Sequence, residues 1–240
     1  MRHRSFYLLI SFLLLLASNS SAQPSETLKV VTTFPRGQAE AANQTQTIVA
    51  AFNKPMVPLQ ELPEGDGTGP LVISPSVKGK YRWVGVSTLS FTPSAPLEIA
   101  TEYKVTIPAG VKASDGSTLA KEVSWSFTTQ RPLLLASFPG HNQKWIDVNP
   151  IIYLRFSLPM NPAQVSSFIQ IKEGSRDGSV VPFTLGIVTN KELEKARIYW
   201  QDTTTILALR LQRPLAKGKR YVVILAKGLP AARGSVGMEK

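Results

Sequence analysis

Ile48-Val49-Ala50-Ala51-Phe52-Asn53-Lys54-Pro55-Met56 returns later in the chain as Ile151-Ile152-Tyr153-Leu154-Arg155-Phe156-Ser157-Leu158-Pro159-Met160. Each is an apolar run closed by Pro-Met, and Pro55 and Pro159 stand 104 positions apart. The same offset separates Thr33-Phe34-Pro35 from Ser137-Phe138-Pro139. Further on, Leu97, Tyr103 and Gly110 match Leu215, Tyr221 and Gly228 at an offset of 118, so the second copy has a longer middle. Self-similarity at domain length means tandem domains rather than a solenoid. The extra residues are expected in a surface loop.

Within each copy the pattern is that of strands. In Leu89-Ser90-Phe91, Tyr103-Lys104-Val105-Thr106-Ile107 and Val123-Ser124-Trp125-Ser126-Phe127, large apolar residues alternate with small or polar ones. That is the period of a strand with one face in a core and the other in water. The second copy repeats it in Leu207-Ala208-Leu209-Arg210-Leu211, with Arg210 expected on the outward face, and in Tyr221-Val222-Val223-Ile224-Leu225. Pro55 and Pro159 cannot donate to a ladder and should end their strands, leaving Met56 and Met160 to fill the sandwich end. Asp115-Gly116 signals a turn between strands. Short strands with frequent turns predict an all-β fold of two tandem antiparallel sandwiches.

Composition agrees. The 240 residues are 43% hydrophobic and 18% charged, enough apolar side chain for a core in each domain and too little charge for a disordered chain. The 18 prolines and 16 glycines fall between short apolar runs with no collagen-like period, which points to turns. There is no cysteine, so each domain must be held by its core and its ladders alone.

The first 22 residues read as a secretory signal. Arg2, His3 and Arg4 precede apolar runs from Phe6 to Ile10 and Phe12 to Ala17, and Ser20-Ser21-Ala22 suits cleavage after Ala22. The apolar stretch is short for a bilayer span, and no cysteine follows it to take a lipid. The expected organisation is a signal peptide over 1–22, one domain over 24–131 and a second over 132–240. The mature protein is expected to be soluble and exported, in the periplasm, the cell envelope or outside the cell, with no membrane span.

Several stretches together resemble a known family. Phe52-Asn53-Lys54-Pro55-Met56-Val57, Arg82-Trp83-Val84-Gly85, Thr88-Leu89-Ser90-Phe91-Thr92-Pro93, Ala100-Thr101-Glu102-Tyr103-Lys104-Val105-Thr106-Ile107-Pro108-Ala109-Gly110 and Trp125-Ser126-Phe127-Thr128-Thr129 are similar to the S-layer-type, SbsA-like bacterial Ig-like domain. More closely, they resemble the version found in the N-terminal region of bacterial alpha-2-macroglobulin-like proteins. The resemblance is specific across the first copy and looser across the second. It implies immunoglobulin-like sandwiches and a non-catalytic part of a much longer protease trap, with proteases as possible partners. The Cys-x-Glu-Gln thioester that such proteins often carry has no counterpart in a chain without cysteine. By the 118 offset, the equivalent of Val123 to Thr129 would begin at position 241, so the second domain is expected to lack its last strand and to be loose.

Charge is uneven. Residues 24–131 carry 10 Lys and Arg against 9 Asp and Glu, whereas residues 132–240 carry 15 against 7. Lys191, Lys195 and Arg197 form one basic cluster, and Arg210, Arg213, Lys217, Lys219 and Arg220 another. They suit either an acidic partner, such as an anionic envelope surface, or a solvated face whose charges guard an edge. No aromatic interleaving supports a nucleic-acid platform.

Catalytic residues are not found. His141 is the one histidine after the signal, in a Pro-Gly-His-Asn turn, and Gly-x-Ser-x-Gly does not occur. No acidic cluster stands at metal-ligand spacing, so neither metal nor cofactor is expected. Gly65-Asp66-Gly67-Thr68-Gly69-Pro70 lacks the Lys-Ser/Thr of a phosphate loop and reads as a flexible loop. Asn43-Gln44-Thr45 matches a glycosylation sequon and reads as a plain loop. Trp83 and Trp200 precede the strands of Leu89 and Leu209; packing across the sheets and stacking on sugar rings are the two roles open to them. Besides the trap scaffold, the sequence leaves open a structural or adhesive envelope stalk and a carbohydrate-binding appendage of a secreted enzyme.

Overall fold

The computed structural model describes residues 27–38, 47–59 and 69–239. The signal segment, the Asn43-Gln44-Thr45 sequon and most of the Gly65–Gly69 stretch lie outside the described residues.

Among the described residues, the N-terminal half has eight strands: β1 (Val30–Phe34), β2 (Gly37–Gln38), β3 (Ile48–Phe52), β4 (Val72–Ser74), β5 (Gly79–Val84), β6 (Thr88–Pro93), β7 (Glu102–Ile107) and β8 (Val123–Thr128). They form two four-stranded sheets, in the orders β1-β3-β6-β5 and β2-β8-β7-β4. All pairings are antiparallel except that of β2 with β8. The alternation in the sequence decides which side chains meet. Ile48, Ala50, Leu89 and Phe91 of one sheet bury against Tyr103, Val105, Ile107, Trp125 and Phe127 of the other, while Lys104, Ser124 and Ser126 face water. β3 ends at Phe52, ahead of Pro55, and Met56 packs half-buried on this core.

The C-terminal half repeats much of this plan with β9 (Leu134–Phe138), β10 (Ile151–Phe156), β11 (Ile169–Glu173), β12 (Phe183–Gly186), β13 (Ile206–Leu211) and β14 (Tyr221–Leu225). One sheet has the order β12-β13-β10-β9 and the other is the pair β11-β14. Correspondence holds at the level of register. Phe34 faces Val49, as Phe138 faces Tyr153, and each pairing slips at the same place, before Val30 meets Phe52 and before Leu134 meets Phe156. The Tyr103 hydroxyl accepts from the Glu98 amide at 3.0 Å, and the Tyr221 hydroxyl accepts from the Ala216 amide at 2.8 Å. This is the corner contact made at the start of the corresponding strand in immunoglobulin-like sandwiches. The Gly110 amide donates to Leu119 O and the Leu119 amide to Val111 O, both at 2.8 Å; Gly228, Met238 and Leu229 repeat the exchange at 2.8 and 2.9 Å. Gly110 and Gly228 share a left-handed φ, +83° and +85°, which a side chain would strain. Among the described residues, β7 is flanked by β4 and β8, whereas β14 has β11 as its one strand neighbour.

The longer middle is not merely a surface loop. Part of it forms α2 (Asn190–Lys195), which follows the short helix α1 (Pro162–Val165) in the chain. Thr189 caps α2: its hydroxyl accepts from the Glu192 amide while the Glu192 carboxylate accepts from the Thr189 amide, a reciprocal capping box. Leu193, Val188 and Ile198 cover Tyr153, Ile206 and Ala208, a second apolar cluster on the outer face of β10 and β13. Both faces of β13 are therefore buried from Ile206 to Leu209, where the sequence reading expected one wet face. Arg210 points outward as expected, yet its guanidinium is half-buried against Glu192.

Candidate binding surfaces

The residues with the greatest chemical potential lie apart from one another. His141 is exposed in its turn, and among the described residues no three His, Cys, Asp or Glu side chains converge as metal ligands would. Two concavities among the described residues are shallow. One of about 240 Å³ is lined by Ile169, Val181, Phe183 and Leu185, and one of about 270 Å³ by Gln38, Glu102, Arg131 and Glu239. Both open broadly to solvent and fall below the usual range for a small-molecule site, about 300–1,000 Å³.

The two tryptophans weighed as sugar platforms are engaged in packing. Trp83 is half-buried on the N-terminal core with its ring centroid 6.3 Å from that of Phe52, and Trp200 is half-buried against the cluster beneath α2. Trp145, which the sequence reading passed over, is 99% exposed. Its place at the end of the polar run His141-Asn142-Gln143-Lys144, ahead of the next apolar stretch, was the available signal.

Lys191, Lys195 and Arg197 are exposed on α2 and directly after it. Lys54 donates to Asp115 at 2.7 Å and ties the end of β3 to the turn before β8. Lys54 and the Ser117 hydroxyl and amide hold the Asp115 carboxyl well below the usual carboxylate range. Arg210 leaves the basic cluster assigned to it and pairs with Glu192, which, with the Thr189 amide, lowers the Glu192 pKa. Arg213, Lys217, Lys219 and Arg220 stay together and exposed in the segment between β13 and β14.

A further feature joins the halves. Ala100, Leu158 and Ala231 form a small buried cluster, and Ala100 O accepts from the amides of Ser235 and Val236 at 2.7 and 2.8 Å. Arg131 Nη1 donates to Gly237 O at 3.0 Å. The segment after β14 thus packs on the turn before β7. Sequence reasoning missed this junction, because nothing in Ala231–Gly237 marks its partner.

Two sheets, antiparallel but for the pairing of β2 with β8, closed over one core, with the tyrosine contact at the start of β7, define an immunoglobulin-like β-sandwich. Residues 24–129 match the family model of the bacterial Ig-like domain, and the N-terminal half is a domain of that class. Over 216 residues, 84% of this chain, the sequence is 27% identical to an alpha-2-macroglobulin homologue of Nostoc sp.. The chain spans 11% of the length of that relative. Among solved structures, native alpha-2-macroglobulin from Escherichia coli spanning domains MG0-NIE-MG1 is 15% identical, with 84% of this chain and 61% of that one covered and a TM-score of 0.31. L,D-transpeptidase 3 from Mycobacterium tuberculosis is 13% identical, with coverage of 67% and 63% and a TM-score of 0.28. The chain thus carries an Ig-like domain in its N-terminal half and is similar to the alpha-2-macroglobulin homologue over most of its length. No helix of the described residues is long and apolar enough to cross a membrane.

Proposed function

We propose that this chain is a non-catalytic scaffold and binding module of an exported, macroglobulin-like protease-trapping protein, made of Ig-like domains over 24–131 and 132–240 after a signal at 1–22. The observation that carries the reading is the 216-residue match to the alpha-2-macroglobulin homologue, which runs through both halves rather than stopping at the first domain. The packed positions of Trp83 and Trp200 favour it over a sugar-binding appendage. In this reading its partners are proteins, proteases among them, and it works in the cell envelope or outside the cell. Incubation with an endopeptidase followed by gel filtration tests the trap: co-elution after limited digestion is expected. Retention on polysaccharide that is lost on replacing Trp83 or Trp200 would overturn it in favour of sugar binding.

The register extends the proposal to β14. Its counterpart β7 is flanked on that edge by β8, running antiparallel, with Trp125 and Phe127 turned inward. We infer that β14 takes a strand of the same character along the edge that no described strand occupies, an extended segment with large apolar residues two positions apart. Backbone amides of Tyr221–Leu225 are then expected to exchange faster than those of Glu102–Ile107, and to slow when a peptide of the Val123–Thr129 sequence is added. Equal, high protection of both strands in a monomer without peptide would sink this idea.

A further inference from the structure

The C-terminal half presents three loops at one pole, the end away from its junction with the N-terminal half. There β9 ends and β10 begins, β11 ends and β12 begins, and β13 ends and β14 begins. Backbone hydrogen bonds tie the loops together. The Leu215 amide donates to Val148 O, and the Gly174 amide to Arg220 O, each at 2.7 Å. The loops carry Lys144, Arg176, Arg213, Lys217, Lys219 and Arg220, all exposed. Against these cations stand Asp147, Asp177 and Glu173; Lys219 reaches Glu173 at 4.0 Å, and the other five make no ion pair among the described residues. The pole is therefore net positive.

Trp145 stands on this pole with its indole bare. Its φ of +59° is a left-handed backbone that a bulky residue rarely adopts. The turn before it is closed by Gln143, whose Oε1 accepts from the Gly140 amide at 2.7 Å while the Gln143 amide donates to Gly140 O at 3.1 Å. The fold thus holds a large aromatic ring away from either core, on the same pole as six cations. An exposed indole together with a net positive surface is the combination that interfacial anchors use.

We propose that this pole docks on an anionic phospholipid surface, with the cations meeting headgroup phosphates and the Trp145 indole entering the interfacial layer. Three features select a bilayer. None of the six cations lines either of the two concavities, and they are spread over three loops, which fits a broad partner rather than a sugar chain or a peptide held in a groove. The charge complements anionic headgroups, where each Lys or Arg strengthens binding by roughly fivefold. Indole, apolar with one N–H donor, partitions to the boundary between headgroups and acyl chains. The inference does not rest on the trap reading, since its observations are the exposure and the charge of these loops.

Flotation of the chain from residue 23 onward with vesicles of phosphatidylcholine, with and without phosphatidylglycerol, tests it. Binding is expected only with phosphatidylglycerol, weakening with added salt, and accompanied by a blue shift of tryptophan emission. Trp145→Asn, which suits the left-handed backbone, is expected to abolish that shift and to weaken partitioning about tenfold. Its circular dichroism and melting temperature should stay as in the parent. Lys217→Ser is expected to weaken partitioning roughly fivefold. Three results would overturn the proposal: no binding to the anionic vesicles, equal binding to neutral ones, or binding that Trp145→Asn leaves unchanged. Binding to an acidic polysaccharide or acidic protein in place of vesicles counts as the first of these.

Discussion

Trp125 sits in β8 at the centre of the N-terminal core, and its indole Nε1 has no hydrogen-bond partner among the described residues. A buried donor left unpaired costs about 1–3 kcal/mol, so the residue is retained for the apolar bulk of its rings. Phenylalanine keeps much of that bulk and drops the donor. Trp125→Phe is expected to cost less than about 1 kcal/mol in a denaturant melt, and Trp125→Ala about 3–5 kcal/mol. Equal losses would mean that the N–H is paired. The inward face of β8 was legible because Trp125 and Phe127 alternate with serines. The unpaired nitrogen was not, since alternation reports which way a side chain points and not what it meets.

At the scale of elements, the insertion between β12 and β13 separates pattern from packing. Thr189 and Glu192 carry the spacing of a capping box, and the run Ile206-Leu207-Ala208-Leu209 has no polar residue to face water. Together these spell a helix laid over a doubly buried strand. The expectation of a surface loop was incomplete, since an offset between repeats counts residues without showing that Leu193 packs inward while most of α2 stays exposed. The Glu192–Arg210 pair that pins α2 to β13 has a consequence for pH. Arg210 and the Thr189 amide lower the folded pKa of Glu192 below its unfolded value, near 4.3. Between those two values the unfolded chain binds more protons, so the pair's contribution is complete above the unfolded pKa and is lost as pH falls through the folded one. Glu192→Gln should lower the melting temperature near neutrality and flatten its decline in acid. An acid limb identical to the parent's would show that the pair does not contribute.

For the whole molecule, the relation between the halves rests on a few contacts about Ala100. Gly234 has φ +98°, and a Cβ there would collide with the carbonyl oxygens of Ile99 and Ala100. Gly234→Val is therefore expected to release the segment Ala231–Gly237 from the N-terminal half while both cores stay folded. Small-angle scattering should report a larger radius of gyration, and limited proteolysis faster cleavage around 131–133. A scattering profile unchanged from the parent would mean that the halves are held by something else.

The sequence by itself marked β3, β6, β7, β8, β10, β13 and β14, the inward faces of most of them, and the paired landmarks Tyr103 with Tyr221 and Gly110 with Gly228. These are carried by period and spacing, which depend on residues near in the chain. Tertiary structure alone decided that α2 covers the outer face of β13, that Arg210 belongs to Glu192 rather than to the basic loops, and that Trp145 is left bare beside them. It also set the segment after β14 against Ala100. Each of these depends on a meeting of residues far apart in the chain, where the physical determinant is the space left by other elements and not the local pattern.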